Sequence, residues 1–533
     1  MNPGGNIDFS RAAGALKKGA RRFDDGARMS HSGFRMRTLS LVLLMALGVT
    51  SARAQESAKT RAVSLQDCIQ QALEHNLDLQ VERYNPQLAA LSLQGAYADY
   101  DPSFTVAGTH NYSLTGGGID PNTHNPSPSS SMDQNSFNAG LGGLLPWGMG
   151  YSLQGNIDES FGTIGGIPSD NTRGSASASL KQPLLKNLWT DATRLNIRVK
   201  KLTLKQSDLK LRGSIITVVT SVELAYYDLI YARENVKVLE KAVELAAQSV
   251  RENKKRVEVG TMAPLDERQA ESQEAASRAD LLQSQRVLAA AENALKRLMT
   301  ERFSEVQPVE LIPSDKLTAP SQLFDLKLSW SRGLSQRPDL LQAKLDVERA
   351  GVELKYYYNQ LFPELDLVGS YGHGAGGFGI KEYYQGFEEL GQGNKPYYSY
   401  GAQLTFPLGN TGARSRYRGS KLSQQQMLLG VKKLEQDIMV SIDDAIKLAK
   451  ASFQRMQATR EAREYAQAAL EAEQKKLENG KSTSFEVLRL QRDLTSASSE
   501  EIRSQTEYKR NLSQLSSFEA STLDRLGINL EVK

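Results

Sequence analysis

Four stretches of the chain alternate apolar and polar residues with period two, and much of the remainder favours helix. In the first, Phe104, Val106, Gly108, His110, Tyr112 and Leu114 share one face, against Thr105, Ala107, Thr109, Asn111 and Ser113. In the second, Ala176, Ala178 and Leu180 oppose Ser177, Ser179 and Lys181. Leu365, Leu367, Gly369 and Tyr371 then oppose Asp366, Val368 and Ser370, while Tyr398, Tyr400, Ala402, Leu404 and Phe406 oppose Ser399, Gly401, Gln403 and Thr405. Such alternation suits a transmembrane barrel and also a half-buried soluble sheet. Phe137, Ala139 and Leu141 before Leu145-Pro146-Trp147-Gly148, and Tyr151, Leu153 and Ile157 after it, read as a further hairpin. The chain therefore supplies four strands or six. Polar loops follow the first strand of each pair, from Gly116 to Gln134 and from Gly372 to Lys395.

The helical stretches are unusually long. No proline stands between Pro183 and Pro264, nor anywhere after Pro407. Ile215, Val222, Leu229, Val236, Val243, Val250 and Val257 recur every seven residues, and Val218, Ala225, Ala232, Leu239 and Ala246 make a second seam. A helix of about seventy residues is roughly 100 Å long, beyond the size of a globular domain. Each long helix ends in a reversal, at Val259-Gly260-Thr261 before Pro264 and at Asn479-Gly480-Lys481 before Ser484. Glycine supplies the left-handed residue that ends a helix, and Pro264 suits the first turn of the next.

The second half repeats the plan of the first. Leu65/Leu326, Asp78/Asp339, Tyr97/Tyr358, Pro102/Pro363 and Gly108/Gly369 all stand 261 positions apart. The expected fold is α+β, mainly long helices, built from a duplicated helix-strand-strand-helix unit. The first repeat spans 55–306, with helices about 62–100, 187–259 and 264–302 around strands within 102–182. A linker covers 307–324. The second repeat spans 325–527, with helices about 325–361, 413–479 and 483–525 around strands within 363–408, and 528–533 form a tail. Pro102, Pro183, Pro363 and Pro407 are expected at strand exits.

Leu39 to Thr50 form an apolar run preceded by Arg35 and Arg37 and followed by Ala52-Arg53-Ala54, the pattern of a secretory signal ending at residue 54. The polar stretch before it suggests a start at Met29 or Met36. Residues 1–54 carry nine Lys/Arg and three Asp/Glu, so the whole-chain net of +4 leaves −2 for the rest. That balance gives no reason to expect nucleic acid as a partner. Cys68 is the only cysteine, so no internal disulfide forms, and it reads as a buried packing residue. No mature segment approaches the eighteen or more apolar residues of a membrane-spanning helix. Passage through a membrane then requires a closed barrel. Four or six strands are below the eight at which such barrels begin, so subunits must share one.

The duplicated plan, the proline ending each first helix, Gln182-Pro183-Leu184, Phe406-Pro407-Leu408 and the Val-Gly-Thr tip together resemble the TolC-type outer-membrane efflux proteins over residues 60 to 527. The resemblance implies a homotrimer in the outer membrane, with a transmembrane β-barrel continued by a periplasmic α-helical barrel. It implies an outer-membrane channel of a tripartite efflux or type I secretion system, a passive conduit. Outer-membrane lipid surrounds such a barrel, a periplasmic adaptor docks on it, and an inner-membrane pump of the RND, ABC or MFS type acts through the adaptor. The family's adaptor contacts map to Val259, Gly260 and Thr261 in one copy and Asn479, Gly480 and Lys481 in the other. Its acidic periplasmic gate maps to Asp266 and Glu486, with Arg489 in place of a second acid. A ring of carboxylates on a narrow axis attracts cations and repels anions. Arg489 is expected to pair with Glu486 or Asp266. Thr483-x-x-Glu486 is also a literal capping box, so helix capping is a competing role for the acids.

Enzymatic signatures are weak. Gly374-Ala375-Gly376-Gly377-Phe378-Gly379 matches a dinucleotide fingerprint literally but lacks a following amphipathic helix, and the five histidines form no metal-spaced pair. No catalytic, cofactor or metal residue is expected. The alternative from another class is a periplasmic coiled-coil adaptor or scaffold that binds without conducting.

Overall fold

The computed structural model describes residues 60–119, 124, 126–315, 317, 320–376 and 382–528. The signal segment expected over 1–54, most of the tail and the end of the glycine-rich stretch lie outside the described residues. In chain order the elements are β1 (Thr60–Val63), α1 (Leu65–His75), α2 (Leu77–Gly95), β2 (Ser103–Thr115), β3 (Gly118–Ile119), β4 (Pro126–Ser127), β5 (Ser130–Leu144), β6 (Gly150–Ile164) and β7 (Ile167–Pro183). They continue with α3 (Ala192–Glu258), α4 (Pro264–Met299), α5 (Phe303–Val306), β8 (Glu310–Pro313), α6 (Leu326–Gln336), α7 (Pro338–Asn359) and β9 (Glu364–Gly376). The chain closes with α8 (Tyr383–Gln392), β10 (Pro396–Thr405), α9 (Thr411–Glu478), α10 (Ser484–Phe518) and α11 (Thr522–Leu526).

The sheet has six strands in the order β10-β9-β7-β6-β5-β2, every neighbouring pair antiparallel. The additional hairpin is thus real, and its turn is closed by Leu145 N–H donating to Met149 O at 2.8 Å. Register explains the alternation read from sequence. Phe104, Leu141, Leu153, Ala178, Tyr371 and Tyr398 form one row across all six strands. The adjoining row on the other face is Ser103, Gly142, Ser152, Ser179, Ser370 and Ser399. Within it Ser152 and Ser179 share a hydrogen bond of 2.6 Å, and Ser370 and Ser399 one of 2.8 Å. One face is apolar and aromatic; the other is hydroxylic.

Four expectations need correction. The first helix of each repeat is not one run: it breaks at Asn76 and at Arg337, which are again 261 positions apart and share an extended backbone. At the first break, Asn76 Oδ1 accepts from Leu79 N–H (3.1 Å), and Nδ2 donates to Leu298 O (3.0 Å), tying the corner to α4. At the second, Pro338 has no N–H to continue the helix and opens the next one at its first position. Pro102 and Pro363 stand one residue before β2 and β9, at strand starts, whereas Pro183 ends β7 and Pro407 follows β10. The polar loops hold structure, the β3–β4 pair in one and α8 in the other. Finally, one 18-residue window of α3 reaches a mean hydropathy of 1.3, yet 56% of it is buried, which makes it the helical core and not a lipid-facing span.

That core lies where α1, α3 and α4 meet the β1–β8 pair, parallel strands in register from Thr60 opposite Glu310. Val63, Cys68, Leu79, Val219, Val222, Leu229, Leu295 and Leu311 are all at most 2% exposed there. The first valine seam is buried through Val236 and only half-buried at Val243, Val250 and Val257, so the packing loosens toward the tip. Tyr226 spans the core, its single hydroxyl proton within reach of Asp315 Oδ2 at 2.8 Å and Val63 O at 3.1 Å. Fully buried Glu223 accepts from Arg525 Nη2 at 2.6 Å, pinning α11 to α3. Burial pushes the Cys68 thiol up to about 12, which keeps it protonated.

Candidate functional site

The two hairpin reversals are superimposable in sequence with an offset of 220, and their backbones close identically. After α3, Thr261 N–H donates to Arg256 O (2.8 Å) and Gly260 N–H to Val257 O (3.0 Å). After α9, Lys481 N–H donates to Lys476 O (2.8 Å) and Gly480 N–H to Leu477 O (3.1 Å). This 6→1 and 5→2 pair is a Schellman closure, and it requires the left-handed residue that Gly260 (φ +79) and Gly480 (φ +71) supply. Val259, Gly260, Thr261, Asn479, Gly480 and Lys481 are all exposed, so both tips present a free surface within the chain.

The acids occupy equivalent third positions of α4 and α10 but bond differently. Asp266 Oδ2 accepts from Ala263 N–H at 3.2 Å, a reach-back to the cap residue, and alanine offers no side chain in return. Glu486 shows the opposite half. Thr483 Oγ1 accepts from Glu486 N–H at 3.4 Å, while the Glu486 carboxylate turns to Arg489 Nη2 at 2.7 Å. The capping box legible in sequence is therefore only half made, and Arg489 chooses Glu486 over Asp266. Asp266 and Glu486 are half-buried and Arg489 is exposed.

What joins the two tips is a residue that the heptad reading passed over. Asn253, 4% exposed, donates through Nδ2 to Ser484 Oγ (2.6 Å) and to Asp266 O (3.3 Å). It holds the start of α4 and the start of α10 against one side of α3. One turn away, Gln491 Nε2 donates to Ser249 Oγ at 3.2 Å. Asn253 stands seven residues after Ala246, the next place in the second seam, so a polar residue at a core position was the available signal. The position equivalent to Asn253 in the second hairpin is Glu473, which pairs with Lys476 at 2.8 Å and accepts from Ser482 Oγ. Those two donors hold its carboxyl below the usual carboxylate range.

Among the described residues no group of three or more His, Cys, Asp or Glu side chains is placed to hold a metal ion. Gly374-Ala375-Gly376 ends strand β9, and, contrary to the sequence expectation, an amphipathic helix, α8, does follow it; the flanking strands β9 and β10 are antiparallel, so among the described residues they make no parallel βαβ unit.

Comparison with known proteins places this architecture. The model of the family described as outer membrane efflux protein matches residues 68–301 and 330–518. Outer membrane efflux protein BepC of Brucella suis is 24% identical over 330 residues, which is 61% of this chain and 67% of that protein. The pyoverdine export outer membrane protein OpmQ of Pseudomonas aeruginosa is 26% identical over 227 residues, covering 43% of this chain and only 45% of OpmQ. The crystal structure of the CmeC outer membrane channel of Campylobacter jejuni superposes with a TM-score of 0.63 at 16% identity, covering 86% of each chain. That likeness concerns the fold. The two matched segments take in both repeats and both tips, and so this chain belongs to the outer membrane efflux proteins, the TolC-type family of outer-membrane channels.

Proposed function

We propose that the protein is a passive export conduit of a tripartite assembly, in which three copies arranged head to tail share one barrel. The observation that supports this reading is the sheet itself. It has an exposed apolar face and two edges, β2 and β10, that are unpaired among the described residues. Unpaired strand edges cannot persist in lipid, and six strands are too few to close alone. Because five successive pairings are antiparallel, β2 of one copy and β10 of the next run antiparallel as well. Three sheets of six strands close one barrel of eighteen, the hydroxylic face inward.

The helices α3 and α9, 67 and 68 residues long, then extend about 100 Å into the periplasm. The tip residues Val259 to Thr261 and Asn479 to Lys481 form the docking surface for a periplasmic adaptor, through which an inner-membrane pump delivers substrate. Asp266 and Glu486 form acidic rings at this end, and the Glu486–Arg489 pair tempers the second ring. The physical role of the rings is to raise the local concentration of cations at the mouth.

Inter-subunit closure is tested by disulfide trapping. A cysteine at Ala107 of β2 is combined with a scan of single cysteines over residues 397–405 of β10, in membranes. Cys68 is fully buried and gives no background. Covalent ladders ending at the trimer, from one or two adjacent β10 positions, are expected. A scan with no ladder at any position contradicts the shared barrel, and a ladder ending at the dimer contradicts the trimer.

A further inference from the structure

We infer that α8, the helix in the outer loop of the second repeat, is an interfacial anchor: it lies on the lipid-facing side of the barrel and inserts Tyr384 and Phe387 into the headgroup layer of the outer leaflet. This rests on the reading that the apolar face of the sheet contacts lipid.

The face that α8 covers is fixed by register. Gly108, Phe137, Ile157, Gly174 and Ala375 form one row, on the same side as Phe104, Leu153 and Tyr371. The helix packs on that side. The Tyr383 ring meets the edge of Phe137 with centroids 5.2 Å apart. Backbone approaches closely on both partners: a Cβ on Gly386 would lie 3.2 Å from Thr172 Cγ2, and one on Gly174 would lie 3.3 Å from Leu390 Cδ1. Glu389 fastens the far end, accepting from Gly376 N–H at 2.9 Å and pairing with Lys395 at 2.6 Å.

The height of the helix is fixed by chemistry. The row containing Phe137, Ile157 and Gly174 is apolar, but the next row on the same face is His110, Asn135, Glu159 and Thr172. Its side chains hydrogen-bond laterally, His110 Nδ1 to Asn135 Oδ1 at 2.7 Å and Asn135 Nδ2 to Glu159 at 3.1 Å. The polarity of the surface changes between these two rows, and α8 touches both. A helix at such a boundary lies where hydrocarbon gives way to headgroups. With Tyr383, Gly386 and Leu390 turned to the sheet, Tyr384 and Phe387 lie outside that contact, each 61% exposed. Two aromatic rings left facing outward on an outer-surface helix continue the lipid-facing band and fit the interfacial belt, where amphipathic aromatics reside. Water or an aqueous lumen gives no reason for them.

Fluorescence depth measurement decides the matter. Single cysteines at Tyr384, Phe387 and, as a belt control, Val106 are labelled with an environment-sensitive dye in otherwise full-length protein in liposomes. Quenchers are carried either at the headgroup or at the chain end of the lipid. Dyes at 384 and 387 quenched several-fold more by the headgroup quencher, with the dye at 106 favouring the chain-end quencher, support the anchor. An unquenched dye at 384 and 387 beside a quenched dye at 106 overturns the anchor and leaves the barrel standing. Chain-end preference at 384 and 387 also overturns the interfacial placement. No quenching at any site overturns both this inference and the membrane barrel on which it rests.

Discussion

The two hairpin tips share a backbone and differ in almost every side-chain bond. Both close through the same pair of hydrogen bonds around a left-handed glycine, and both start the return helix three residues after the turn. The first tip spends its one buried polar side chain, Asn253, on the neighbouring hairpin. The second keeps the equivalent group, Glu473, for itself, bonding Ser482 and Lys476 within its own turn. Duplication has therefore conserved the geometry that reverses the chain and divided the labour: the polar group of the first tip bonds across to the start of α10, and that of the second bonds within its own turn.

The largest expected effect breaks that tie. Asn253→Ala removes two hydrogen bonds from a buried site and should destabilise the junction by about 1–3 kcal/mol. Hydrogen exchange should rise in the first turns of both α4 and α10, and the resting conductance should increase. Glu473→Ala should loosen only the 479–483 turn; equal spreading from both variants would abolish the proposed division. Next, Gly260→Ala and Gly480→Ala should each cost about 1–2 kcal/mol through left-handed strain. A Cβ at either glycine meets no atom within 4 Å, so thermal melting should give equal costs at the two tips. Unequal costs would mean that the shared backbone is not equally strained.

A smaller change concerns the acids. Arg489→Ala removes an exposed ion pair and should alter stability by less than about 1 kcal/mol. By freeing Glu486 it should nevertheless raise cation over anion permeability, measured by reversal potential in a salt gradient. Smallest is the pH response. Glu473 is held below the usual carboxylate range by Lys476 and Ser482, so its contribution is present at neutral pH and is lost as pH falls through its depressed pKa. Exchange at the second tip should then rise in acid before that at the first. The Glu473→Gln variant should remove the difference.

Much of this was legible in the chain. Period-two alternation gave the strand faces because, near the helical end of the sheet, apolar rows on one side oppose hydroxylic rows on the other. The 261-residue offset gave the two repeats, and glycines 260 and 480 gave the tips. Corners were harder to read. Asn76 and Arg337 break their helices through a cap and a following proline, while the flanking residues keep helical periodicity, so the run reads as continuous. The outer halves of β5 to β7 are not legible, because they pair through polar residues such as Asn135 and Glu159, which carry no alternation. The α8 helix was hidden in a stretch rich in glycine and glutamate, whose aromatic spacing gains meaning only once the sheet face beneath it is known. Asn253 is hard to read because it continues the seam with a polar residue, which periodicity of apolar positions does not mark.

The central claim is that three copies form a conducting barrel with an acidic periplasmic mouth. The most direct test is single-channel recording in a planar bilayer, with protein purified from outer membranes beside an Asp266→Asn/Glu486→Gln variant. Discrete, cation-preferring steps in the native protein, with the preference lost in the variant, are the predicted result. Absence of steps in both proteins would contradict the conduit, and steps with unchanged selectivity would contradict the acidic mouth.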